Sequence, residues 1–120
     1  MSILAALVFA ALNDTSTPSW AIGSRNPILP LHEYIPDAEP RVFNNRLYLY
    51  GSHDRANSKK FCDTILKVWS APLDNLSKWR DHGVSFRSKA EPGFADDVPW
   101  SDNELYAPDV VEHRGKYYLF

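Results

Sequence analysis

The chain has 120 residues, a length that suits one domain with a single core. Its 44% hydrophobic and 23% charged residues are ordinary for a globular protein and argue against disorder. The net charge is −2, and lysine and arginine are spread from Arg25 to Lys116 without a basic stripe, so nucleic acid is not expected as a partner. Cys62 is the single cysteine, which excludes an intrachain disulfide and a cysteine-rich metal site.

Residues 1–25 are expected to be a leader or linker that precedes the folded part. The apolar run Ile3–Leu12 is too short to cross a bilayer as a helix, and no membrane partner is expected. Its length suits the apolar region of a signal peptide, but no lysine or arginine precedes Arg25. Secretion and a cytoplasmic location therefore both stay open.

Four short strands are predicted in the first part of the folded region. Arg41–Ser52 reads as a hairpin, since the turn pair Asn44-Asn45 separates two runs of strand-forming residues. A third strand is predicted over Thr64–Ser70 and a fourth over roughly Gly83–Arg87, with a turn at Pro72–Leu76 between them. No convincing helical period follows position 26.

A similar hairpin returns near the end of the chain. Aligning Tyr48 with Tyr118 gives an offset of 70 residues, which also lays Leu49 on Leu119 and Glu39 on Asp109. Four strands followed by a fresh start are the signature of one β-propeller blade and part of the next. Because repeat units need neighbours to bury a continuous core, residues 26–120 are expected to be the N-terminal one and a half blades of a longer all-β protein.

Carboxylates head both hairpins. Asp37 and Glu39 lie two residues apart between Pro36 and Pro40, and in an extended segment they would project to the same side. Asp109 precedes the second hairpin in the same way. The two hairpins are therefore predicted to direct acidic groups toward one centre, although an aspartate beside a proline also commonly caps a turn.

Three ordered blocks of sequence resemble glycoside hydrolase family 43. They are Asn26–Ser52, Trp69–Trp79 and Leu105–Val111. The resemblance implies a five-bladed β-propeller that hydrolyses β-xylosides or α-L-arabinofuranosides of plant cell-wall polysaccharide with inversion, at a funnel holding three carboxyl groups. A xylan-type oligo- or polysaccharide is the partner that it implies.

The resemblance also assigns roles to individual residues. Asp37 matches the general base, and Asp109 matches the aspartate that tunes the pKa of the general acid and orients it. The acid is a glutamate of a later blade that has no counterpart here, so these 120 residues alone are expected to be inactive. The family commonly has proline after the base, whereas Ala38 follows Asp37, which leaves Glu39 as an alternative base.

Other candidates rest on weaker signals. His53, at a strand end, and Trp100, in a long loop, are candidate substrate-binding residues, with packing as the alternative for each. No cofactor or metal is expected within this chain, and Asp96-Asp97 leaves a structural calcium ion open for a longer protein. Two other functions also stay open: a non-catalytic propeller that binds carbohydrate or protein, and another five-bladed sugar enzyme such as a fructosidase or a mannoside phosphorylase.

Overall fold

The computed structural model describes residues 26–120, so the leader or linker predicted at residues 1–25 lies outside the described part. Six strands and no helix are found in this part, and consequently no helix that could cross a membrane. The strands are β1 (Glu39–Phe43), β2 (Arg46–Ser52), β3 (Ile65–Pro72), β4 (Arg80–Arg87), β5 (Val110–His113) and β6 (Lys116–Leu119). The all-β class predicted from the sequence is confirmed.

The first four strands form one antiparallel sheet in the order β1-β2-β3-β4. The third strand carries most of the core, because Leu66, Val68, Trp69 and Ala71 are buried there. It occupies nearly the predicted span, whereas β4 begins at Arg80, three residues before the predicted start. Gly83 has φ of 79°, and the register between β3 and β4 shifts around Lys67, so the pairing of these strands is irregular. The sequence pattern did not reveal that β4 extends back through this irregularity to Arg80.

The second hairpin repeats the first one residue for residue. Pro40 pairs with Leu49 in the first sheet, and Val110 pairs with Leu119 in the second, which is the same pairing shifted by 70 positions. The backbones of Asp109 and Phe120 also exchange two hydrogen bonds, of 3.2 and 2.9 Å. The offset predicted from the sequence is thus reproduced in the register.

The turns of the two hairpins match as well. Asn44 and Asn45 have φ of 48° and 59°, and Arg114 and Gly115 have φ of 53° and 73°. Positive φ at both central residues is the geometry whose twist suits a two-residue hairpin. Asn44-Asn45 is therefore the turn pair that the sequence predicted.

The segment before β1 differs from the expected extended form. Asp37 has φ of 52°, in the left-handed region, so the alternation that would place Asp37 and Glu39 on one side does not apply. This segment turns over β2, where Gly51 lies under Ile35 and Ala38. A Cβ atom at position 51 would stand 2.1 Å from Ile35 Cγ2, so the close approach requires glycine.

Candidate functional site

Arg41 joins the acidic heads of the two hairpins. Its Nη1 lies 2.7 Å from Glu39 Oε1, and its Nη2 donates to Asp109 Oδ2 at 2.7 Å. Its Nε donates to the backbone carbonyl of Val110 at 3.1 Å. Glu39 and Arg41 share one side of β1 because they are two residues apart in a strand. One guanidinium therefore connects β1 to the first residue of β5 and to the carboxylate beside it.

Asp109 is held at the start of the second hairpin. Its Oδ1 accepts a hydrogen bond of 2.5 Å from the backbone N–H of Val110, and its Oδ2 accepts the one from Arg41. The hydrogen bond from Arg41 lowers the pKa of Asp109 below its usual value. The carboxyl group thus favours the charged form while its side chain stays 46% exposed.

Asp37 has different surroundings. Its side chain is exposed, and no donor among residues 26–120 forms a hydrogen bond or ion pair with its carboxylate. It lies near Cys62: burial raises the pKa of this thiol, and the charges of Asp54, Asp37 and Glu104 add to the effect. The candidate base is therefore an exposed carboxylate beside a buried thiol.

Ser52 connects the region around Cys62 to the segment before the second hairpin. It is fully buried at the end of β2, and its Oγ accepts a hydrogen bond of 2.8 Å from the backbone N–H of Ala107. The Ser52 hydroxyl acts to lower the pKa of the Cys62 thiol, against the larger effect of burial. Ala107 lies two residues before Asp109. The hydrogen bond to Ser52 therefore attaches the segment that carries Asp109 to the end of β2, next to Cys62.

Buried polar contacts hold the segment that carries Asp37. The Glu33 carboxylate accepts hydrogen bonds from Lys67 Nζ at 2.7 Å and from Trp69 Nε1 at 3.1 Å. The backbone N–H of Asp54 donates to the carbonyl of Tyr34 at 2.9 Å. The turn at Asp37 is therefore anchored to β3 and to the loop that follows β2.

His53 belongs to a charged cluster built on Asp63. Its Nδ1 lies 3.3 Å from Asp63 Oδ2, which also accepts a hydrogen bond of 2.6 Å from Arg55 Nε. Arg55 continues to Glu91 at 2.8 Å. His53 is only partly exposed, and its Nδ1 contacts Asp63 and not open solvent.

A cleft of about 320 Å³ opens beside this cluster. Its walls mix cations, carboxylates and hydroxyl groups, contributed by Arg55, Ser58, Lys60, Cys62, Asp63, Thr64, Lys89, Glu91 and Glu104. Paired charges with fixed donors and acceptors can hydrogen-bond to the hydroxyl groups of a small polar ligand. Asp37 and Asp109 do not line the cleft, but Cys62 connects it to the surroundings of Asp37.

The remaining sequence candidates lie apart from these contacts. Trp100 is 82% exposed in the loop between β4 and β5. Asp97 Oδ2 accepts a hydrogen bond of 2.8 Å from the backbone N–H of Arg87, so its carboxylate helps to fix the end of β4. No group of three or more potential metal ligands occurs among residues 26–120.

Sequence reasoning missed Arg41 and Ser52. Arg41 follows the acidic segment directly, and its spacing of two from Glu39 is the signal that places both on one face of β1. Its bond to Asp109 spans 68 positions and leaves no local signal. Ser52 was visible only as a residue at the end of a strand.

Known proteins with similar sequences are glycosidases. The chain is 52% identical over 96 residues to a xylosidase/arabinosidase of Thermoclostridium stercorarium, covering 79% of this chain and 20% of that protein. It is 37% identical over 95 residues to xylosidase/arabinosidase 43A of Humicola insolens, covering 72% of this chain and 27% of that protein. No protein-family model matches the chain.

A solved structure of a β-xylosidase, RS223-Beta-xylosidase, shares the fold. It superposes with a TM-score of 0.57 at 31% identity, covering 72% of this chain and 27% of that structure. The chain therefore spans about a fifth to a quarter of the length of these three relatives.

Fold and site together define an all-β protein of repeated antiparallel hairpins with an acidic edge where the hairpins begin. Its sequence and structural relatives identify the chain as a member of the xylosidase/arabinosidase type of glycoside hydrolase family 43, as the sequence blocks predicted.

Proposed function

We propose that this chain forms the first blades of a five-bladed propeller glycosidase that cleaves β-xylosides or α-L-arabinofuranosides with inversion. The observation that carries the proposal is the bond from Arg41 to Asp109, which brings the heads of two hairpins in the same register together. The names of the relatives support a xylan-type substrate.

In this proposal Asp37 is the general base. An exposed carboxylate without a paired cation can accept a proton from a water molecule as that water attacks the anomeric carbon. Inverting hydrolysis needs the acid and the base about 6.5–9.5 Å apart, so that the water fits between them. A glutamate outside residues 1–120 would be the acid that protonates the leaving oxygen.

Asp109 acts on that acid and not on the sugar. A carboxylate kept ionised by Arg41 raises the pKa of a neighbouring carboxylic acid by like-charge repulsion, which keeps the acid protonated for its task. The lowered pKa of Asp109 supports this role.

The contacts also favour Asp37 over Glu39 as the base. The Glu39 carboxylate pairs with Arg41 at 2.7 Å, and a carboxylate bound to a guanidinium is a weaker proton acceptor. Asp37 has no such partner among the described residues. The cleft beside Cys62 would take part of the sugar chain. His53 and Trp100 do not line this cleft and stay candidate substrate contacts.

The first test compares Asp37→Asn with Glu39→Gln in the full-length protein. Asparagine tolerates the left-handed backbone of position 37, so the substitution removes the base without new strain. We expect Asp37→Asn to lower kcat by about 10²–10⁴-fold while substrate binding is kept. Glu39→Gln should leave kcat within about threefold, since it removes only one ion pair at the surface. Activity on aryl xylosides and arabinofuranosides, with binding by calorimetry, measures both effects.

Each result points to one conclusion. Near-normal turnover of Asp37→Asn together with a large loss in Glu39→Gln would move the base to Glu39. Binding of xylo-oligosaccharides without hydrolysis by the unmodified protein would favour the non-catalytic binding propeller. An α-configured product released from a β-xyloside, seen by NMR, would support inversion.

A further inference from the structure

All three nitrogen atoms of the Arg41 guanidinium make contacts, and Nη1 also reaches the carbonyl of Pro40 at 3.4 Å. Nη1 meets Glu39, Nη2 meets Asp109, and Nε meets the carbonyl of Val110, at 2.7, 2.7 and 3.1 Å. A planar fork held at all three nitrogens has little freedom to rotate. The Asp109 carboxylate is thus held at two points, Oδ2 by Arg41 and Oδ1 by the backbone N–H of Val110, and a side-chain substitution can remove only the contact with Arg41.

Stability alone is a weak explanation for this arrangement. The side chains of Arg41 and Asp109 are 37% and 46% exposed, and ion pairs with this exposure contribute little to folding. The pair nevertheless connects two different sheets, and the backbone contact to Val110 adds a second fixed point on β5. These contacts of Arg41 therefore act mainly on the position of the Asp109 carboxylate.

We propose that Arg41 is a positioning residue that sets the orientation of the Asp109 carboxylate toward the general acid. The inference rests on the proposed function, in which Asp109 acts only through that acid. Lysine can keep the positive charge at position 41, but its single ammonium group cannot form the same three contacts. Orientation and charge can therefore be separated by substitution.

The positive charge of Arg41 also acts on the two carboxylates that it contacts. The groups that face Arg41 within residues 26–120 are the carboxylates of Asp109 and Glu39, and the hydrogen bond to Asp109 raises the pKa of the guanidinium. Removing this cation would leave two carboxylates without their shared counter-ion. The pKa values of nearby carboxyl groups would then rise, and the pH profile of kcat would move to higher pH.

The experiment uses three variants of the full-length enzyme: Arg41→Lys, Arg41→Met and the control Arg80→Lys, the same change at an exposed arginine of β4. We expect Arg41→Lys to lower kcat on xylo-oligosaccharides about tenfold or more, with KM changed less than about threefold, because an interaction acting in the transition state is weakened. Its pH profile should stay in place. Arg41→Met should show the same loss and also move the profile upward by about half a pH unit. Arg80→Lys should keep kcat within about threefold, because this side chain is exposed and lies outside the site.

The leaving group separates positioning from a purely structural role. A nitrophenolate departs with little protonation, so a misplaced acid partner should cost less on nitrophenyl xyloside than on an oligosaccharide. We expect the loss in Arg41→Lys to be at least about fivefold smaller on the nitrophenyl substrate. An equal loss on both substrates, or a lowered Tm with unchanged kcat and pH profile, would overturn the inference.

Two further readouts keep the result decisive. If Arg41→Met does not fold, Arg41→Lys alone decides, and kcat within twofold of the unmodified enzyme refutes the positioning role. A crystal structure of Arg41→Lys should show the Asp109 carboxylate rotated, and an unmoved carboxylate counts against the inference. Normal turnover of Asp37→Asn would instead refute the proposed base, whatever happens at position 41.

Discussion

Asp63 is a buried carboxylate whose charge is stabilised by its hydrogen-bond partners. Its side chain is 7% exposed, and its two oxygens accept hydrogen bonds from Arg55, from the backbone N–H of Thr64 and from His53. Burial acts to raise the pKa of Asp63, but the hydrogen bonds from Arg55, Thr64 and His53 outweigh it and leave the pKa lowered. The charged form is therefore the stable one in the folded protein.

Replacing this carboxylate tests that balance. We expect Asp63→Asn to lower the free energy of unfolding by about 1–3 kcal/mol, because Arg55 and His53 lose a charged acceptor in a buried position. The matched control is Glu91→Gln, which breaks the other contact of Arg55 at a more exposed site and should cost under about 1 kcal/mol. Urea unfolding of the full-length protein at neutral pH measures both values, and equal costs would contradict the account.

The same residue predicts a pH dependence. Because the folded-state pKa of Asp63 lies below the ordinary value of 3.8, its contribution to stability is complete above that value. The contribution is lost as the pH falls from 3.8 through the lower folded-state pKa. The difference in stability between the unmodified protein and Asp63→Asn should therefore shrink below pH 3.8. A constant difference down to the acid limit would contradict this.

At the scale of elements, the hairpin turns set the register of the carboxylates that precede them. Both turns need positive φ at two successive residues, and the two sequences meet this need differently, with Asn44-Asn45 in one and Arg114-Gly115 in the other. Asparagine enters the left-handed region at modest cost and glycine at none, whereas arginine at 114 adopts it against its preference.

This difference gives a prediction for each turn. We expect Asn45→Gly to raise the free energy of unfolding by up to about 1 kcal/mol, because asparagine–glycine is the preferred pair for this turn. Gly115→Val, at the equivalent position of the second hairpin, should lower it by more than about 1 kcal/mol, since a β-branched residue resists φ of 73°. Thermal unfolding compares the two variants, and changes of the same sign would show that turn geometry does not decide the effect.

At the scale of the whole molecule, the two sheets meet through the first hairpin and the last. The rings of Phe43 and Tyr117 lie edge to face with centroids 4.8 Å apart, and Asn44 Nδ2 donates to Tyr117 Oη at 3.3 Å. Arg41, in the middle of β1, contacts Asp109 and Val110 at the start of the second hairpin. The hairpins are thus joined at two places, near the turns by Phe43 and Asn44 and near the start of β5 by Arg41.

The aromatic contact can be measured by a double-mutant cycle. Phe43→Leu and Tyr117→Leu should show a coupling free energy of about 0.5–1.5 kcal/mol, the usual value for an aromatic pair in this geometry. The single change Tyr117→Phe removes only the hydrogen bond with Asn44 and should cost less. A coupling near zero would mean that the ring contact adds nothing to the other contacts between the hairpins.

Much of this organisation could be predicted because its signals are local. The turn at Asn44-Asn45, the strands beside it and the 70-residue offset all appear as short patterns, and the register confirms them. The left-handed backbone of Asp37 was missed because the flanking prolines favour an extended chain, while the packing of Ile35 on Gly51 requires a turn. The roles of Asp37, Asp109, His53 and Trp100 remain predictions, as does the number of blades.

The left-handed backbone at position 37 also favours some residue types over others. A position with φ of 52° admits asparagine, aspartate and glycine readily, and of these three aspartate alone carries an ionisable group. Glutamate would add both backbone strain and an extra methylene of reach. Aspartate is thus the acidic residue that this turn favours, and under the proposed function a relative without hydrolytic activity is expected to carry asparagine or glycine in its place.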